Sequence, residues 1–105
     1  MADTENIDIV ELGIGDALAG LVLSTEAGWN QNEADWRFFL SKGIVFGLRD
    51  GDRLVASAAL LPYSANNAWI SMVLVTPDWR RRGIATKLVD ACLAELRRVN
   101  DQTHA

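Results

Sequence analysis

Cysteine is nearly absent from this sequence: Cys92 is the only one, so no intramolecular disulfide can form. That fits a reducing compartment and a cytoplasmic location. Histidine is as scarce, with His104 alone in a polar tail, and no His, Cys or carboxylate cluster has metal-ligand spacing. No metal site is therefore expected. Long apolar runs are missing too. The longest, Leu54 to Pro62, is interrupted by Ser57 and is far too short to span a bilayer. The opening Met1-Ala2-Asp3-Thr4-Glu5 is acidic and polar, which is not the pattern of a secretory leader. A basic excess is lacking, since 14 acidic side chains face 10 basic ones for a net charge of −4. A general nucleic-acid binder should show the opposite balance. Two phosphate loops are excluded as well: there is no G-x-x-x-x-G-K-[ST], and no G-x-G-x-x-G after a first strand.

What remains is ordinary globular composition, half apolar and 23% charged, in a chain of 105 residues. That length suits one small domain with one core. Ile7, Ile9 and Leu12 predict a short first strand (β1). Gly13 to Asp16 reads as a turn, with Asp16 as N-cap of a helix from Ala17 to Ala27 (α1). Leu18, Leu21, Val22 and Thr25 are expected on its inward face, and Gly28 suits its C′ position. Asn32 caps a second helix, Glu33 to Lys42 (α2), with Trp36, Phe39 and Leu40 as its apolar face and Gly43 as its stop. Ile44 to Leu48 (β2) and Leu54 to Leu61 (β3) flank Asp50-Gly51, the strongest hairpin signal in the chain. Pro62 to Asn67 reads as a second turn region, and Ala68 to Val75 as the next strand (β4). A helix from Ile84 to Arg98 (α3) has Ile84, Leu88, Val89, Cys92, Leu93 and Leu96 on one face. Residues 99–105 read as a polar tail. The order β1-α1-α2-β2-β3-β4-α3 predicts an α+β (mixed α/β) fold, a largely antiparallel sheet with helices on its faces. One domain spans 1–105, its core about 7–98.

The stretch from Val73 to Thr86 organises the rest. Pro77 cannot donate to a ladder and ends the strand. Gly83 permits a backbone geometry that a side chain would block. The helix that begins at once has first-turn amides without intrahelical partners and a positive dipole end, which attract phosphate. Arg80, Arg81 and Arg82 add three permanent charges beside it. A basic run of this kind can also be a plain solvated connection.

The pattern Arg80-x-x-Gly83-x-Ala85, set between an apolar strand and an amphipathic helix, resembles the acyl-CoA pyrophosphate loop of the GNAT superfamily of N-acetyltransferases. The likeness covers roughly Ile7 to Arg98 and extends to the order of elements. It implies that acetyl-CoA or CoA binds as acyl-donor cosubstrate. Val73, Leu74 and Val75 would line the pantetheine arm, with the backbone groups of Val73 and Val75 pairing it like an added strand. Arg80, Arg81, Arg82, Gly83, Ile84, Ala85 and Thr86 would hold the diphosphate. An amine would attack the thioester directly, with a β4 amide polarising the carbonyl. The sequence departs from the family in ending soon after α3, where a further strand, helix and hairpin are expected. This implies a truncated GNAT-like domain: a shortened chain, a gene fragment, or a half-domain that assembles with another chain, with a homodimer through the exposed sheet edge as the simplest closed form.

No catalytic residue is identifiable. Tyr63 lies in the loop before β4 but has the character of a packing residue. Glu33 and Asp35 are explained by their helix-start position, and Trp29 and Trp36 fit an acceptor pocket or a hydrophobic cluster equally. Cys92 lies on an apolar helix face. Three functions compete: an N-acetyltransferase complete only as an oligomer or within a longer chain, a non-catalytic half-domain that holds CoA or self-associates, and, a distant runner-up, nucleic-acid binding through the arginine run. The acceptor amine is not legible; neither nucleic acid nor membrane is an expected partner.

Overall fold

A computed structural model describes residues 9–64 and 67–103, apart from the side chains of 62–64, 67 and 99–103. Ile7 of the expected first strand, and His104, lie outside the described residues, as does the tip of the second turn region.

Among the described residues four strands form one antiparallel sheet in the order β1-β2-β3-β4: Ile9–Glu11, Ile44–Asp50, Arg53–Ser64 and Asn67–Val75. The hairpin between β2 and β3 closes where expected. Asp50 pairs with Arg53, and Gly51 takes the positive φ (+63°) that the tight turn requires. β3 lies in the middle of the fold. Every residue from Leu54 to Leu61 is buried, because helices cover both faces of the sheet. β3 is longer than its apolar run: Pro62 pairs with Ala68 and Ser64 with Asn67, so the expected turn region is mostly strand.

Two helices lie on one face and one on the other. Leu12, Ala17, Leu23 and Trp36 pack with Val45, Leu54, Ala59, Met72 and Leu74 under α1 (Ala17–Glu26) and α2 (Glu33–Lys42). Ile84, Leu88 and Cys92 of α3 (Ile84–Thr103) pack with Leu48, Val55, Ala56, Ala58 and Leu60 on the opposite face. α3 runs past Arg98 through residues expected to form a tail. Adding a residue to a formed helix gains a hydrogen bond without a new nucleus, so polar residues extend it readily.

α2 follows its sequence signals. Asn32 Oδ1 accepts from the Asp35 amide at 2.9 Å, and the Asn32 amide donates to Asp35 Oδ2 at 3.0 Å. α1 does not. Leu18 and Val22, expected inward, are 62% and 63% exposed, and Thr25 is exposed too, while Ala17, Gly20, Leu23 and Ser24 face the core. The reason is Trp36. Its fully buried indole lies against Gly20, where an added Cβ would stand 2.5 Å from the ring, and its Nε1 donates to Ser24 Oγ at 3.1 Å. A ring this large needs small residues on the facing helix. Asp16 also differs from expectation. Its carboxylate does not cap α1; Oδ2 accepts from the Gly13 amide at 2.9 Å, and Oδ1 pairs with Arg49. Gly28 does terminate α1: it has φ +76°, and the Trp29 amide reaches back to Ser24 O at 2.9 Å.

Candidate functional site: the bulged edge of β4 and the arginine loop

β4 is an edge strand among the described residues, and it is not regular. Ser57 pairs with Leu74 and Ala59 with Ser71, so Met72 and Val73 together face the single residue Ala58. Met72 has φ +55°, a left-handed geometry uncommon for a residue with a side chain. Its side chain is buried, and its carbonyl accepts a hydrogen bond of 2.7 Å from the hydroxyl of the buried Ser57. Beyond the bulge, the Thr76 amide donates to Val55 O at 2.7 Å. Alternation along the ladder then turns the backbone groups of Val75 away from β3, toward the open edge.

The chain leaves β4 through a 3₁₀ turn, Pro77–Trp79, into the arginine loop. Arg80 Nε donates to Val75 O at 3.0 Å, and Arg82 donates to Asp78 O at 3.4 Å while lying 4.8 Å over the Trp79 ring. Two of the three guanidinium groups thus brace the loop on its own carbonyls. Arg81 is exposed, with φ +67°, and makes no side-chain hydrogen bond or ion pair among the described residues. Gly83 has φ +72°, and a Cβ built on it meets nothing within 4 Å, so open space lies above the backbone. The first backbone bond of α3 runs from the Lys87 amide to Gly83 O at 3.1 Å, which leaves the amides of Ile84, Ala85 and Thr86 ahead of the helical ladder. A strand edge with outward backbone groups therefore leads into a cationic loop and a helix N-terminus.

A polar cluster that the sequence did not reveal ties this exit to α1. Thr76, almost fully buried, donates to Glu26 Oε1 at 2.9 Å and accepts from Arg53 at 2.9 Å. Arg53 also lies 3.5 Å from Glu26 and 3.8 Å from Asp78. Ser57 and Met72 were missed as well. For Ser57 a signal existed, since it is the one polar residue inside the Leu54–Leu61 run.

The other candidates are accounted for by structure. Glu33 pairs with Arg37 at 2.7 Å, and Asp35 completes the cap of α2. Trp36 is a core residue, while Trp29 is 41% exposed beside the end of α1. Cys92 is buried, and loss of solvent pushes its thiol up to about 11, so it is no nucleophile at neutral pH. The Tyr63 side chain lies outside the described residues. Among the described residues no cluster of His, Cys, Asp and Glu could hold a metal ion, and no helix is long and apolar enough to cross a membrane.

This mixed fold, an antiparallel sheet with a bulged edge strand feeding an arginine loop and an amphipathic helix, is the arrangement that the likeness of the loop motif implies. The chain belongs to the acetyltransferase (GNAT) family, whose model matches residues 14–104. No curated protein matches it significantly in sequence. Among solved structures, a protein assigned to the GNAT family from Novosphingobium aromaticivorans is 29% identical, with a TM-score of 0.72 over 88% of this chain and 40% of its own. Rv2747 of Mycobacterium tuberculosis, solved with CoA, is 21% identical, with a TM-score of 0.75 over 89% of this chain and 59% of its own. N-acetylglutamate synthase of Neisseria gonorrhoeae, solved with coenzyme A and N-acetyl-glutamate, is 19% identical, with a TM-score of 0.75 over 89% and 23%. This chain therefore spans 40%, 59% and 23% of the lengths of those three proteins.

Proposed function

We propose that this chain binds acetyl-CoA and supports transfer of its acetyl group to an amine. The observation that carries the reading is the continuity of the bulged β4 edge with the arginine loop and the start of α3, in a member of the GNAT family. The outward backbone groups of Val73 and Val75 would pair with the pantetheine arm, along a strand lined by Leu74. Arg80 already occupies the Val75 carbonyl, so the Val75 amide is the group left for a ligand there. The diphosphate would lie over Gly83, against the amides of Ile84, Ala85 and Thr86, with Arg81 as its principal free cation and Arg80 and Arg82 holding the loop in shape.

In the transfer step, the amine lone pair attacks the thioester carbonyl carbon. The C–N bond forms, the C–S bond breaks, and CoA leaves as thiolate and takes up a proton. The amine gives its own proton to a base, directly or through water. A donor on the β4 edge would stabilise the developing oxyanion. The CoA found in related structures supports the choice of ligand. The acceptor is an amine of unassigned class. The place of β4 as an edge strand among the described residues supports completion of the site by another strand, from a longer chain or from a second copy in a two-fold dimer. A second reading is a module that holds CoA without turnover.

Thermal shift and isothermal titration with acetyl-CoA, CoA and short DNA test the reading, since a ligand that prefers the folded state raises the midpoint. Acetyl-CoA and CoA should bind, and Gly83→Asp should abolish binding through backbone strain and misplaced negative charge. Arg81→Ala should weaken binding by about 1–3 kcal/mol, the scale of a charge-assisted hydrogen bond. Unchanged CoA affinity in a folded Gly83→Asp protein would sink the loop assignment. Thioester consumption with mixed amines separates an enzyme from a holding module, and sedimentation at several concentrations tests the dimer.

A further inference from the structure

Ser57 is a fully buried hydroxyl in a strand stretch that is otherwise apolar, and it points at the one strained residue of the neighbouring strand. Met72 holds φ +55° in mid-strand, and such a geometry persists only where its surroundings enforce it. Two contacts do so. The Met72 side chain is buried under α1 and α2, and its carbonyl is taken by Ser57 Oγ at 2.7 Å. A bulge removes a residue from the ladder, and here a side-chain hydroxyl replaces the missing ladder donor.

The consequence follows from the planarity of the peptide. The carbonyl of Met72 and the amide of Val73 belong to one trans unit and point in opposite directions, and no cis bond occurs among the described residues. Fixing Met72 O toward β3 therefore fixes the Val73 N–H toward the open edge. Neighbouring Ala56, Ala58 and Ala59 carry no side-chain donor that could take over from Ser57.

We propose that Ser57 is a positioning residue: by clamping the Met72 carbonyl, it orients the Val73 amide toward the carbonyl oxygen of a bound acyl thioester. This rests on the acyl-CoA reading above. Ser57 touches neither ligand nor reacting atoms and acts through one rigid peptide unit.

Acetyl-CoA and CoA differ only in the acyl group, so the pair isolates the effect. Both ligands are titrated against the full protein, wild type and Ser57→Ala, and the infrared stretch of a carbonyl-labelled acetyl-CoA is recorded in each complex. In the wild type, the bound stretch should lie below its value in free solution. In Ser57→Ala, acetyl-CoA affinity should fall about fivefold, the scale of one neutral hydrogen bond, with CoA affinity unchanged and the stretch returned toward the free value. Ser57→Thr, which keeps the hydroxyl, should restore both, and Ser57→Cys, a weak donor of similar size, should fall between and serves if the alanine variant fails to fold. Equal losses for both ligands with an unshifted stretch would make Ser57 merely structural and overturn the positioning role alone. A wild type that binds neither ligand would overturn the acyl-CoA reading and the positioning role with it.

Discussion

The two faces of the sheet are packed by opposite rules. On the α3 face the helix turns its own apolar stripe inward: Ile84, Leu88 and Cys92 recur at helical spacing and settle onto Leu48, Val55, Ala56, Ala58 and Leu60 of the strands. On the α1/α2 face, α1 turns Ala17, Gly20 and Ser24 inward beside Leu23, and the small residues Gly20 and Ser24 make room for one side chain of its neighbour, Trp36. Both arrangements reach full burial. A rule that places the apolar stripe of a helix inward therefore works for α3, which packs on the strands of the sheet. It fails when a partner helix inserts an aromatic ring.

Several substitutions would break or sharpen this contrast. The largest effect is expected from Trp36→Ala, which empties the centre of the α1/α2 face and leaves Ser24 Oγ without its donor. The loss should be about 3–5 kcal/mol by denaturant titration. Leu88→Ala should cost nearly as much on the α3 face, about 2–5 kcal/mol; a far smaller loss would mean that α3 is loosely seated. Gly20→Ala should cost about 1–3 kcal/mol, because its Cβ needs the space of a buried ring. The same change at an ordinary helix site would stabilise.

A further test reads the α3 face through pH. Burial raises the Cys92 thiol from 9.0 to about 11, so the unfolded chain releases that proton first as pH rises. The associated stability is complete below about pH 9 and is lost as pH climbs toward 11. Cys92→Ala should remove this part of the alkaline decline, measured by urea unfolding at a series of pH values. The smallest effect is expected at Leu18→Ser and Val22→Ser, each within about 0.5 kcal/mol as exposed positions away from any packed feature. A loss of several kcal/mol at either would restore the inward face that periodicity predicts for α1.

What the sequence determined by itself is whatever depends on neighbours along the chain. The Asn32 cap of α2, the Gly51 turn and the Gly28 stop of α1 were legible because each is set by a few consecutive residues. The order of elements along the chain, the amphipathic stripe of α3 and the arginine loop with Gly83 belong to the same class, and the loop motif was enough to point to the family. The tertiary structure alone decided what depends on residues distant in sequence. The inward face of α1 was set by Trp36, twelve positions beyond its partner Ser24. The bulged Met72 meets a buried hydroxyl on the facing strand, and the exit from β4 is tied by Thr76 to Glu26, fifty positions earlier. Such contacts carry no local pattern: propensity and periodicity describe one segment at a time, while burial and strain are shared between segments that only the folded chain brings together.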